Sequence, residues 1–181
     1  MQVIYTARNR FGPSKGKEWL GYLRWSGLSH VREIVSLDHM LCPFAVGFTD
    51  DLWDLVVNED HMLDYFLELE PLLQRLPQEG EEVAVLALIR RPESEVGSLA
   101  IPGFHFMGYD LMDGVVGNSA LTNCGGFDEA FAGSELNDVG LLDSFPRSVE
   151  VRDKLKLKYP AEYHADCDIW AVFRMADAKS S

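Results

Sequence analysis

Apolar and polar positions alternate along this chain in short stretches that predict more strand than helix. Residues 2–7 are β-rich, and a loop of Gly, Pro and Lys follows over 11–17. Residues 19–25 alternate as a strand, Ser26-Gly27 supplies turn chemistry, and 31–37 read as a second strand. Ser29 offers the alternative of capping a helix through Leu37. Cys42-Pro43 ends the element, because proline biases its predecessor away from helix. Asn58-Glu59-Asp60 reads as a helix start, its acids complementing the helix dipole. Met62, Phe66, Leu69, Leu73 and Leu76 then recur at helical spacing, with Pro71 expected to kink or split the helix near Leu67.

The run 83–89 is almost wholly apolar, as a buried central strand would be. Residues 104–111 follow as a strand with Gly108 as a candidate bulge. Residues 113–140 read as glycine-rich loop with one short helix at 127–131. The stretch 149–157 alternates with period two. Against strand stand a cap at Ser144 or Asp143, Pro146 in the first turn, lysines near the end and a stop at Pro160, and helix is preferred. Residues 169–175 make a closing strand. The pattern predicts an α+β domain over 1–175, with a mainly antiparallel sheet, two principal helices and a short flexible tail at 176–181.

The length of 181 residues suits one domain that buries enough surface to fold without metal or disulfide. Met1-Gln2-Val3-Ile4-Tyr5 does not read as a secretory signal, and no apolar stretch approaches the roughly 20 residues of a membrane helix. Three cysteines are then best read as reduced thiols in a cytoplasm.

Charge changes the picture more. The net charge is −13, and residues 50–82 carry eleven acids against the single base Arg75. Residues 110–146 add seven acids and no base, whereas the first 32 residues hold six bases against Glu18. Nucleic-acid binding, which needs a basic surface, is disfavoured. An acidic face suits solubility, or steering toward a basic protein partner.

Candidate chemistry gathers around the cysteines. His39 and Cys42 form one His-x-x-Cys pair and His164 and Cys167 another, together offering the four ligands of a structural zinc. The alternative is that Cys42 and Cys167 are small buried hydrophobes. Cys124 lies in Asn123-Cys124-Gly125-Gly126 ahead of the short helix expected at 127, where amides would favour a thiolate and an oxyanion. His164 would serve as its base, oriented by Asp166 or Asp168 if 164–168 is extended. The alternative there is an Asx-turn built by Asn123. Asp38, Asn58, Glu59 and Asp60 could bind a hard cation, but no calcium-loop pattern is present and helix capping is the simpler use. The glycines match no phosphate-binding pattern, no cofactor is expected, and His30, His61 and His105 read as structural.

The strings Ser36-Leu37-Asp38-His39-Met40-Leu41-Cys42-Pro43, Asn58-Glu59-Asp60-His61-Met62, Asn123-Cys124-Gly125-Gly126-Phe127 and His164-Ala165-Asp166-Cys167 resemble marker segments of an uncharacterised bacterial protein family. The resemblance implies a cytoplasmic bacterial origin and transfers no functional residue. The expected function is a non-catalytic protein-binding module of inhibitor or immunity type. Its binding candidates are Asp38, Asn58, Asp60, Asn123, Cys124, His164 and Asp166. Two alternatives stand beside it: a small cysteine-dependent hydrolase or transferase using Cys124 and His164, and a zinc-stabilised binding module.

Overall fold

Six of the eight residues of Val83–Arg90 are buried, as an apolar run covered on both faces requires. This strand, β2, lies inside a sheet of order β1-β2-β4-β3, with β1 at Ile4–Asn9, β3 at Phe104–Met112 and β4 at Asp168–Met175. Every neighbouring pair is antiparallel. The computed structural model describes residues 1–45, 62–73, 82–114, 117–123 and 127–176. Among them are three helices, α1 at Lys17–Ser26, α2 at Phe66–Leu73 and α3 at Phe145–Lys158. The chain is thus an α+β fold, and no helix among the described residues is long and apolar enough to cross a membrane.

Side chains alternate across the strands, so each face of the sheet collects its own core. Ala87, Ile89, Tyr109, Leu111, Ala171 and Phe173 join Trp19 and Tyr22 of α1 and Val151 and Leu155 of α3. On the opposite face Leu86, Leu88, Met112, Trp170 and Val172 pack with Val35, Leu37, Val139 and Leu141. Full burial of each Val, Leu, Ile, Phe or Met side chain among these stabilises the fold by about 1.5–3 kcal/mol. That second face is roofed by irregular chain. Its backbone groups must find partners one by one, and they do so by joining the two outer edges of the sheet. Ile34 donates to Phe11, beyond the end of β1, and Val35 donates to Val139. Leu142 then exchanges both backbone bonds with Tyr109 of β3, at 2.7 and 3.0 Å. Parts of both outer edges are thereby covered, which reduces the hazard of open strands.

Several expectations are met. The β3–β4 register shifts between Phe106 and Gly108, where Gly108 adopts φ 140°. Ser144 accepts from the Arg147 N–H at 3.4 Å at the start of α3, Pro146 sits in its first turn, and Lys156 and Lys158 lie in its last.

Four expectations need correction. Residues 19–25 belong to helix α1: Trp19 and Tyr22, three apart, are buried, while Leu20 and Trp25 are exposed. Gly27, at φ 71°, closes the helix by donating to the Leu23 carbonyl. Residues 31–37 are neither strand nor helix, because the segment lies between two different partners and pairs with each through isolated bonds, with Val31 and residues 34–37 buried. Met62 to Tyr65 are not helical, since Leu63 exchanges two hydrogen bonds with Tyr5 on the edge of β1. Helix α2 starts only at Phe66 and runs through Pro71, with Leu69 buried against Leu63 and Ala7. The short helix at 127–131 is a single turn, Ala130 and Phe131 both donating to the Phe127 carbonyl. The helix start at Asn58, and most of the acidic stretch 50–82, lie outside the described residues.

Candidate functional site

Asp38 organises the loop that roofs one end of the sheet. Its carboxylate is fully buried, and Oδ1 accepts from the N–H groups of Met40 and Leu41 at 2.9 and 2.8 Å. These are the bonds of a cap on a single helical turn, completed when Cys42 donates to the Asp38 carbonyl at 2.9 Å. Two further donors come from a distant segment. Asn123 reaches Oδ1 through its side-chain amide at 3.1 Å, and the Ser119 N–H reaches Oδ2 at 2.8 Å.

Directly beneath lies a second buried acid, Asp110 of β3. The Ser119 hydroxyl donates to its Oδ1 at 2.6 Å, joined by the Leu111 N–H at 2.9 Å. The Ser36 Oγ lies 2.5 Å from its Oδ2 and accepts from the Asp38 N–H at 3.0 Å. Two serines therefore bridge two aspartates. Arg8 of β1 is buried nearby, donating to the Cys42 carbonyl at 3.2 Å and covering the Phe44 ring at 3.8 Å. Burial holds its pKa down at about 10, against the fields of Cys42 and Asp38.

A third acid, Asp113, continues the arrangement. Its carboxylate accepts from the N–H groups of Gly117 and Asn118 at 3.2 and 3.0 Å and stands 3.6 Å from His164 Nε2. His164 comes from a turn of 3-10 helix, Tyr163–Asp166, and its ring packs 5.5 Å from Phe127. Burial lowers its pKa, against the raising fields of Asp113, Glu162 and Asp38, which favours the neutral imidazole. His39 lies against Gly117: its N–H donates to the Gly117 carbonyl at 3.0 Å. A Cβ at position 117 would fall 2.1 Å from the His39 ring, and φ there is 68°, so glycine is required twice over.

Of the predicted binding residues, Asp38 and Asn123 touch directly, and His164 joins them through Asp113 and the segment 117–119. Asp166 does not. It is an exposed partner of Lys156 at 3.3 Å, because 163–166 is helical and the extended geometry that would align Asp166 with His164 does not form. Asp168 is likewise taken, by Arg90 and Arg91 at 2.8 and 2.7 Å. The acid facing His164 is Asp113, which sequence reasoning passed over. Cys124, Asn58 and Asp60 lie outside the described residues.

The zinc set also needs correction. Among the described residues no three or more His, Cys, Asp or Glu are grouped so as to hold a metal ion, so His39, Cys42, His164 and Cys167 are not assembled as a site. Cys42 lies 3.4 Å from the Ile34 carbonyl, and burial pushes its pKa up to about 12. Burial does the same for Cys167, also to about 12. Both are buried hydrophobes in practice.

Sequence reasoning also missed Ser36, Asp110, Ser119 and Arg8. For Arg8 and Asp110 the available signal was the one base of β1 and the one acid of β3, both at buried positions. No protein-family model, curated protein or solved structure matches this chain.

Proposed function

We propose that this chain is a non-catalytic protein-binding module of inhibitor or immunity type that engages a basic partner protein. The observation that carries the reading is the contrast between the interior and the rim of the site. Inside, the carboxyl groups of Asp38 and Asp110 are engaged by backbone amides and serines, and both described thiols are protonated at neutral pH. At the rim stand Met40, 74% exposed, and Tyr163, 65% exposed, each adjacent to a residue of the site. Methionine and tyrosine are enriched in protein interfaces, where aromatic anchors carry much of the binding energy. The net charge of −13 favours a cationic partner and speeds its encounter. Reduced thiols suit a cytoplasmic setting, in keeping with the bacterial resemblance.

The test is retention on the immobilised chain at low ionic strength, compared with a Met40→Glu/Tyr163→Glu double variant. The expected outcome is a set of basic proteins that elutes as salt rises and is lost on the variant. A retained set that is not basic, or that ignores the double substitution, would oppose the reading.

A second reading, a cysteine-dependent hydrolase or transferase using Cys124 and His164, is favoured by one observation. His164 is held neutral beside a carboxylate, as a general base would be. The orienting acid would then be Asp113 in place of Asp166.

A further inference from the structure

Asp38 and Asp110 are both fully buried, and both are in contact with Ser36 and Ser119. Two ionised carboxylates so placed would repel each other in a medium that screens them poorly. One buried cation, Arg8, acts on Asp38. Among the described residues no cation lies within ion-pair distance of Asp110. Other titratable groups coupled to Asp110 are Cys42 from the loop, Tyr22 from α1 and Cys167 just before β4. Burial pushes all three upward, so each is neutral near pH 7. Asp113, just beyond the end of β3, faces His164 at 3.6 Å.

We propose that Asp110 is held as the neutral acid and that its proton is a latch, seating loop 36–42 on segment 119–123 until raised pH removes it. Hydrogen-bond accounting agrees. A neutral Asp110 donates from Oδ2 to the Ser36 Oγ at 2.5 Å, and that oxygen also accepts from the Asp38 N–H. The Ser36 proton then has Met112 Sδ, 4.0 Å away, as its acceptor. Oδ1 keeps its bonds from Ser119 and Leu111. Asp110 and Ser36 are then both satisfied without a second buried carboxylate charge. Desolvation by burial, assisted by Asp38, raises the Asp110 pKa and outweighs the hydrogen bonds that Ser119, Ser36 and Leu111 give the ionised form.

The direction of the effect follows. Because the folded-state pKa lies above the unfolded value, the stabilisation is complete below the ordinary aspartate range and is lost as pH rises through the folded pKa. The loop released is the one that carries Met40, so the latch would regulate the docking rim. That last link rests on the binding reading above, whereas the proton does not.

The experiment uses the full chain without a partner. The wild type at pH 7 should show the infrared carbonyl band of a protonated carboxyl, absent from Asp110→Asn. Amide exchange at Met40, Leu41 and Ser119, corrected for intrinsic rate, should lose protection about tenfold per pH unit while the closed form keeps the proton and the open form has lost it. Asn mimics the neutral acid, donating to Ser36 and accepting from Ser119, so its melting temperature should lack the alkaline fall. Absence of the carbonyl band, or protection independent of pH, in the wild type overturns the latch even if the variant does not fold. Neither result bears on partner retention, so failure of the latch and failure of the binding reading are separable.

Discussion

Asn123 donates its side-chain amide to Asp38 Oδ1 at 3.1 Å across 85 residues of chain. The bond ties the loop after Leu37 to the segment that follows β3, two irregular stretches that neither pattern nor propensity relates. With the Ser119 N–H it brings the donors on the Asp38 carboxylate to four.

Removing this acceptor should therefore be severe. Asp38→Ala strands four donors in the interior and removes the buried carboxylate whose field acts on Arg8, a loss of about 3 kcal/mol or more. Asn123→Ala removes one donor from an acceptor that keeps three and should cost about 1 kcal/mol. Urea denaturation of both variants checks the ratio, and a mild Asp38→Ala would contradict the assignment.

Two glycines should respond in opposite directions. Gly108 has φ 140°, and a Cβ there would fall 2.7 Å from Leu141 Cβ and 2.9 Å from the Leu142 carbonyl. Gly108→Ala should destabilise by about 3 kcal/mol or more through strain and overpacking. Gly21 lies inside α1, and a Cβ added there would meet nothing within 4 Å. Gly21→Ala should stabilise by about 0.5–1 kcal/mol. Thermal melts of the two single variants measure both signs.

Acid should loosen the roof at Glu33. Burial alone would raise its pKa, but hydrogen bonds from Arg174 and Arg10 override that and hold it below the usual carboxylate range. A depressed folded pKa gives stability that is present above the unfolded value of about 4.3 and is lost as pH falls through the folded value. The Glu33→Gln variant should show a shallower fall in melting temperature below about pH 4.5 than the wild type. Equal slopes would mean that the two arginines do not act through Glu33.

The elements that were legible in the sequence are those whose signal is local. The apolar run of β2, the bulge glycine of β3 and the Ser144–Pro146 start of α3 each carry their reason within a few residues. Helix α1 was misread because Trp19, Leu20, Tyr22, Leu23 and Trp25 fit both period two and period 3.6. Glu18 in its first turn, Arg24 in its last and Gly27 after it were the deciding marks. Residues 31–37 could not be read, because their partners at Phe11 and Val139 are remote in sequence. The site divides the same way. Asp38, Asn123 and His164 stood out by residue type, whereas Asp110, Asp113 and Ser119 matter only through tertiary contacts.

Site-resolved alkylation across pH, read by mass spectrometry on wild type and His164→Ala, tests the non-catalytic reading most directly. Cys42 and Cys167 should react only after unfolding, since both are buried with pKa values of about 12. Cys124 should titrate as an ordinary thiol, near the unperturbed value of about 8.5, and should not respond to His164→Ala. Reaction of Cys124 well below pH 8 that falls when His164 is removed would contradict the binding-module account and establish an activated nucleophile.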